Sequence, residues 1–148
     1  VLVIIFFVFV PVGCTYYTMA HDWTWNVTIG CAACGLVSDL LLMLNNYRDR
    51  EQDKISGKRT LIVRFGEKAG RYAYLTLGIL AVGFCSFYAL SGHLTASLLP
   101  IFFLIPHIIT WKQMVRIFKG KELNIVLGKT ARNIVLFGLL LSLGLILS

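Results

Sequence analysis

The chain has 148 residues, of which 57% are hydrophobic and 14% are charged, and its mean hydropathy is +0.77. A soluble domain averages about 45–50% apolar and about 25% charged residues. The departure in both excludes a soluble enzyme, a disordered tail and a nucleic-acid-binding module, and it points to a polytopic membrane protein. The net charge of +7, from 14 Lys and Arg against 7 Asp and Glu, reports orientation in such a protein rather than nucleic-acid binding.

About 20 apolar residues cross roughly 30 Å of hydrocarbon at about 1.5 Å per residue. Five such runs are expected, at about 1–20, 25–44, 72–90, 94–111 and 134–147. Spanning segments must satisfy their own backbone groups, so the runs are predicted to be helices. The fold class is therefore all-α, a transmembrane bundle of about five spans. Pro11 and Gly13 predict a kink in the first. That run lacks the positive flank of a signal peptide. The chain opens inside it without a Met, and the expectation is the later part of a longer polypeptide.

The connections alternate in character. Residues 21–24 and 91–93 carry no Lys or Arg. The segments 47–71 and 112–132 hold all 14 basic residues. Alternation of five spans puts both segments on one side, and the positive-inside rule makes that side cytoplasmic.

Cys14, Cys31, Cys34 and Cys85 all fall within spans. The Cys31-x-x-Cys34 pair reads as small residues in helix packing, since no second pair or nearby His completes a tetrahedral site. His107, after Pro106, reads as a packed, hydrogen-bonded histidine. Asp39 lies within the second span, where an acid costs about 2.5–3.5 kcal/mol on insertion scales. It is expected to face a cavity or a neighbouring helix.

The informative stretch is 45-NNYRDREQDKISGKRTLIVRFG-66. If the second span continues as a helix, Asn45, Asn46, Asp49, Gln52 and Asp53 share one face and Glu51 points away. Carboxylates at i and i+4, with amides one turn earlier, are the hard oxygen ligands of Mg²⁺. Lys58 and Arg59, beside Gly57, are cations suited to a phosphate. The competing reading is an interfacial helix end, with Asp49 in an ion pair to Lys54 or Arg48. Asp-x-x-x-Asp is not a specific pattern by itself.

This stretch resembles the second aspartate-rich motif of the UbiA-type intramembrane prenyltransferases. Asn45-Asn46, Arg48-Asp49, Asp53 and 57-GKRTL-61 resemble most the family's menaquinone-pathway branch, the 1,4-dihydroxy-2-naphthoate polyprenyltransferases. The segments 11-PVGCTYY-17 and 123-LNIVLGKTARNIVLFGLLLSLGLIL-147 are weaker echoes. The resemblance implies a nine-helix fold with one acidic motif in each half. This chain holds only the second motif, so the resemblance implies a C-terminal half whose N-terminal half is a partner. It also implies Mg²⁺-dependent transfer of a polyprenyl group from polyprenyl diphosphate to 1,4-dihydroxy-2-naphthoate, giving demethylmenaquinone at a bacterial inner membrane. By residue it implies Asp49 and Asp53 as metal ligands, and Asn45, Asn46, Lys58 and Arg59 at the diphosphate. Tyr16 and Tyr17 are candidates for contact with the aromatic acceptor, or for a bilayer-interface belt. The alternatives are a 4-hydroxybenzoate or haem acceptor, or, outside the family, a non-catalytic membrane subunit or half of a transporter.

Overall fold

The computed structural model describes residue 10 and residues 12–148, all of whose regular structure is helical. In chain order the α-helices are α1 (Cys14–Ala20), α2 (Trp25–Ile55), α3 (Leu61–Cys85), α4 (Leu94–Leu98), α5 (Leu104–Ile117) and α6 (Leu123–Ile146). A 3-10 turn at Ser86–Ser91 extends α3, and another at Leu99–Phe103 joins α4 to α5. Pro100 stands in the first turn of the second, where its missing N–H costs least. Among the described residues, four helical runs are long and apolar enough to cross a membrane: Trp25–Ile55, Leu61–Ser91, Leu94–Ile117 and Leu123–Ile146. They correspond to the last four expected spans. Half of the first, residues 1–9 and 11, lies outside the described residues.

Two boundaries differ from the sequence reading. Of the connection expected at 47–71, only 56–60 lies outside helix, and of 112–132 only 118–122. Lys, Arg, Glu and Gln are good helix formers, so their arrival marks where the chain leaves the bilayer, not where the helix stops. At 31 residues, α2 runs about 46 Å against about 30 Å of hydrocarbon. Residues 45–55 therefore project beyond the span as ordered helix. Within α3, Gly66 breaks the helix with φ +84° and ψ 170°, a conformation open essentially to glycine alone.

Thr24 caps α2 by accepting the Val27 N–H, and Thr60 caps α3 by accepting the Val63 N–H. The two helices form an antiparallel hairpin. At one end the Tyr88 hydroxyl donates to the Asn26 carbonyl (2.8 Å), and at the other Arg71 Nε donates to the Tyr47 hydroxyl (2.9 Å). Between these ends Leu40, Leu44, Tyr47 and Tyr74 are wholly buried. A second layer, α4 to α6, closes on the hairpin. Thr95 Oγ1 donates to the Gly144 carbonyl (2.7 Å), and the Tyr74 and Thr130 hydroxyls share a hydrogen bond (2.7 Å). His107 is stacked between Tyr74 and Phe103, with ring centroids 5.1 and 5.2 Å away, and Nε2 lies 3.3 Å from the Leu75 carbonyl. It is a packed histidine, as its sequence context predicts. Cys31 and Cys34 are free thiols within the hairpin.

Candidate active site at the basic end of the bundle

The end of α2 builds the site. Gly57 adopts φ +74°, which a side chain would strain. Its N–H reaches the Lys54 carbonyl (3.4 Å), and the Lys58 N–H reaches the Asp53 carbonyl (2.9 Å). These two bonds are a Schellman closure. It folds the chain back over the last turn of α2, and Lys58 Nζ meets Asp53 Oδ1 at 3.1 Å. The Asp53 side chain is 8% exposed and that of Lys58 is 69% exposed. A buried carboxylate therefore meets a cation that remains in reach of solvent.

Asp49, one turn earlier, is 45% exposed at its side chain. Arg48 grips it with two bonds, Nε to Oδ1 at 2.7 Å and Nη2 to Oδ2 at 2.8 Å. That hydrogen-bonded guanidinium holds the Asp49 carboxyl below the usual carboxylate range, and the charge of Lys58 acts in the same direction. Asn45 and Asn46 are half-buried, and their side chains make no hydrogen bond among the described residues. Arg59 is exposed. Glu51 approaches Lys119 at 4.0 Å, and both line the same open cavity as Asp49.

Four of the expected residues, Asn45, Asn46, Asp49 and Asp53, therefore occupy the projecting end of one helix, and the Gly57 turn adds Lys58. Two carboxylates with two unengaged amide oxygens form a hard-oxygen donor set that fits Mg²⁺. Among the described residues no group of three or more His, Cys, Asp or Glu gathers around one point.

The α5–α6 turn is pinned beside this end. Arg48 Nη1 donates to Asn124 Oδ1 (2.8 Å). Arg50 and Arg71 each stand 5.0 Å from the centroid of Phe118, whose backbone has φ +65°. Arg50 also lies over the Tyr47 ring (4.5 Å), donates to the Tyr47 carbonyl (2.7 Å) and pairs with Glu67 (3.3 Å). These cation–π contacts hold the turn against α2, beside an open cavity of about 490 Å³ that includes Arg48, Asp49, Gln52, Lys119 and Gly120 in its lining. Sequence reasoning passed over Asn124, Phe118, Arg71 and Tyr47. Their contacts Arg48–Asn124, Arg50–Phe118, Arg71–Phe118 and Arg71–Tyr47 join residues 24 to 76 positions apart, and no spacing rule reports such pairs.

The candidate acceptor residues are not brought to this end. Tyr16 lines a cavity of about 470 Å³ with Asn26, Gly30, Cys34 and Tyr88, at the start of α2. Gly30 is about 28 Å along the helix axis from Asp49. Tyr17 is largely exposed on α1. Asp39 is half-buried and makes no side-chain hydrogen bond among the described residues.

Comparison with known proteins agrees with the motif. The chain is 34% identical over 151 aligned positions to the 1,4-dihydroxy-2-naphthoate octaprenyltransferase of Escherichia coli, covering 99% of this chain and 48% of that protein. It is 30% identical over 149 positions to the Haemophilus influenzae protein of the same name, covering 98% and 47%. The 2-carboxy-1,4-naphthoquinone phytyltransferase of Synechocystis sp. is 27% identical over 71 positions, 48% of this chain and 23% of that protein. The chain spans about half the length of the first two relatives. No solved structure matches it. The UbiA prenyltransferase family matches residues 1–126, and the chain belongs to that family.

Proposed function

We propose that this chain supplies the second acidic motif of an intramembrane aromatic prenyltransferase. The enzyme transfers a polyprenyl group from polyprenyl diphosphate to 1,4-dihydroxy-2-naphthoate, with loss of diphosphate and CO2, giving the prenylated diol (demethylmenaquinol) for menaquinone biosynthesis. The observation that carries the reading is the pair Asp49 and Asp53, one helical turn apart where α2 leaves the bilayer, with Lys58 folded back between solvent and the buried acid. The names of the relatives support the substrates. The other acidic motif belongs to a partner half of the enzyme, and the basic end of the bundle faces the cytoplasm at a bacterial inner membrane.

In this reading Asp49 and Asp53 hold Mg²⁺, and Asn45 and Asn46 orient the metal–diphosphate assembly. Bound Mg²⁺ supplies neutralisation of the charge that builds on the departing diphosphate. Lys58 keeps its ammonium exposed, placed to meet the diphosphate while its stem stays over Asp53. Arg59 adds a second cation beside it. The apolar bundle behind the site excludes water from the allylic cation left when diphosphate departs. The electron-rich naphthoate ring captures that cation and loses its carboxylate.

The test is prenyl transfer by the enzyme with both halves present, on radiolabelled prenyl diphosphate with Mg²⁺. Asp49→Ala and Asp53→Ala are each expected to lower turnover by about 10²–10³-fold, the scale of losing a group that stabilises transition-state charge. Turnover near the parent value in both variants overturns the metal-ligand assignment.

A further inference from the structure

Arg48 and Asp49 are adjacent in sequence, so their side chains leave the helix about 100° apart and do not naturally face one another. They meet nonetheless, through two short bonds. A third Arg48 bond crosses to Asn124 in the first turn of α6. A guanidinium fork engages both carboxylate oxygens at once, and Lys58 holds the second acid by one oxygen. The acidic face is thus already neutralised by two cations of its own chain. The two grips differ: Lys58 makes a point contact from an exposed stem, whereas Arg48 takes both oxygens of Asp49 and is moored at its far side.

We propose that Arg48 is a stand-in cation and a further diphosphate-binding residue. It occupies Asp49 in the absence of metal. A divalent cation displaces it, and the released fork, still beside Asn124, turns to the diphosphate. This rests on the metal–diphosphate reading of Asp49 given above. Its consequence is coupling between ligands. Metal alone must displace a guanidinium that then has no anion to meet, whereas metal with diphosphate gives that guanidinium a new bidentate partner. Each ligand therefore raises the affinity for the other, and the effect is reciprocal.

The test is Mn²⁺ binding to the full-length enzyme in nanodiscs, read by electron paramagnetic resonance with and without inorganic pyrophosphate. In Arg48→Gln, Mn²⁺ alone is expected to bind about fivefold tighter, because the competing charge is gone. The enhancement by pyrophosphate is expected to fall about tenfold in the same variant. A merely structural arginine does not give these opposite signs. Arg48→Lys keeps the charge without the fork, so it is expected to tighten Mn²⁺ alone by about twofold. It carries the test if the glutamine variant does not fold. Unchanged or weaker Mn²⁺ binding in both Arg48 variants overturns the proposal. Unchanged Mn²⁺ binding in Asp49→Asn instead overturns the metal reading beneath it.

Discussion

Gly57 shows how one residue without a side chain sets the chemistry of its neighbours. Its left-handed backbone closes α2, and that closure carries Lys58 back to a buried carboxylate four positions before the glycine. Space is not the constraint, since a Cβ there meets nothing within 4 Å. The constraint is φ alone, and a β-branched side chain at +74° costs about 1–2 kcal/mol. In Gly57→Val the closure is expected to open and Lys58 to leave Asp53. The expected result is a melting temperature lowered by a few degrees and a larger proportional loss of prenyl transfer. A variant that loses stability and keeps full activity separates the turn from the site. The same residue scale explains why Asp49 and Asp53 are not equivalent. Asp53 is largely buried and meets Lys58 through Oδ1, whereas Asp49 is half-exposed and held by Arg48 through both oxygens.

At the scale of elements, the bundle is held by close approach where side chains are small. Gly144 of α6 lies against Ala96 of α4, and an added Cβ would stand 2.6 Å from the Ala96 Cα. Backbone cannot yield as a side-chain tip can, so the helices must part. Small residues at such crossings permit the van der Waals contact that drives helix association in lipid. Gly144→Leu is expected to destabilise the chain by about 1–3 kcal/mol through overpacking and loss of the Thr95 bond to the Gly144 carbonyl. Gly128→Ala, on the same helix with nothing within 4 Å, is expected to be neutral or stabilising by up to about 1 kcal/mol through helix propensity. Thermal unfolding in detergent with a thiol-reactive dye reads both. Equal effects at the two glycines count against the packing argument. The α5–α6 turn is held differently, by two guanidiniums on the Phe118 ring, and that contact sets the wall beside Asp49.

For the whole molecule, the segments that hold all the basic residues come together at one end. The bonds Arg48–Asn124 and Arg50–Phe118 join them across the bundle. Four alternating helical runs place residues 56–60 and 118–122 on the same side and 91–93 on the other. In the orientation proposed from the positive-inside rule, the basic side faces the cytoplasm. Single cysteines introduced at Arg59 and at Gly92, with the four native cysteines replaced by serine, are expected to differ in labelling of intact cells by a membrane-impermeant maleimide. The Gly92 position is expected to label directly, and the Arg59 position only after permeabilisation. The reverse pattern inverts the orientation and moves the acidic face to the outside.

Length, apolar runs and the sorting of charge determined from the sequence alone that this is a helical membrane bundle with one basic end. These properties are local: a run of apolar residues partitions into lipid, and its backbone then has no choice but helix. The same locality made the shared face of Asn45, Asn46, Asp49 and Asp53 legible, because helical spacing is a property of the chain itself. Tertiary structure decided which cation each acid holds, that Asn124 and Phe118 border the site, and that Tyr16 lies at the far end of α2. Those facts depend on how separate helices register and on where long side chains find partners, and residues many turns apart carry no mark of it in their order.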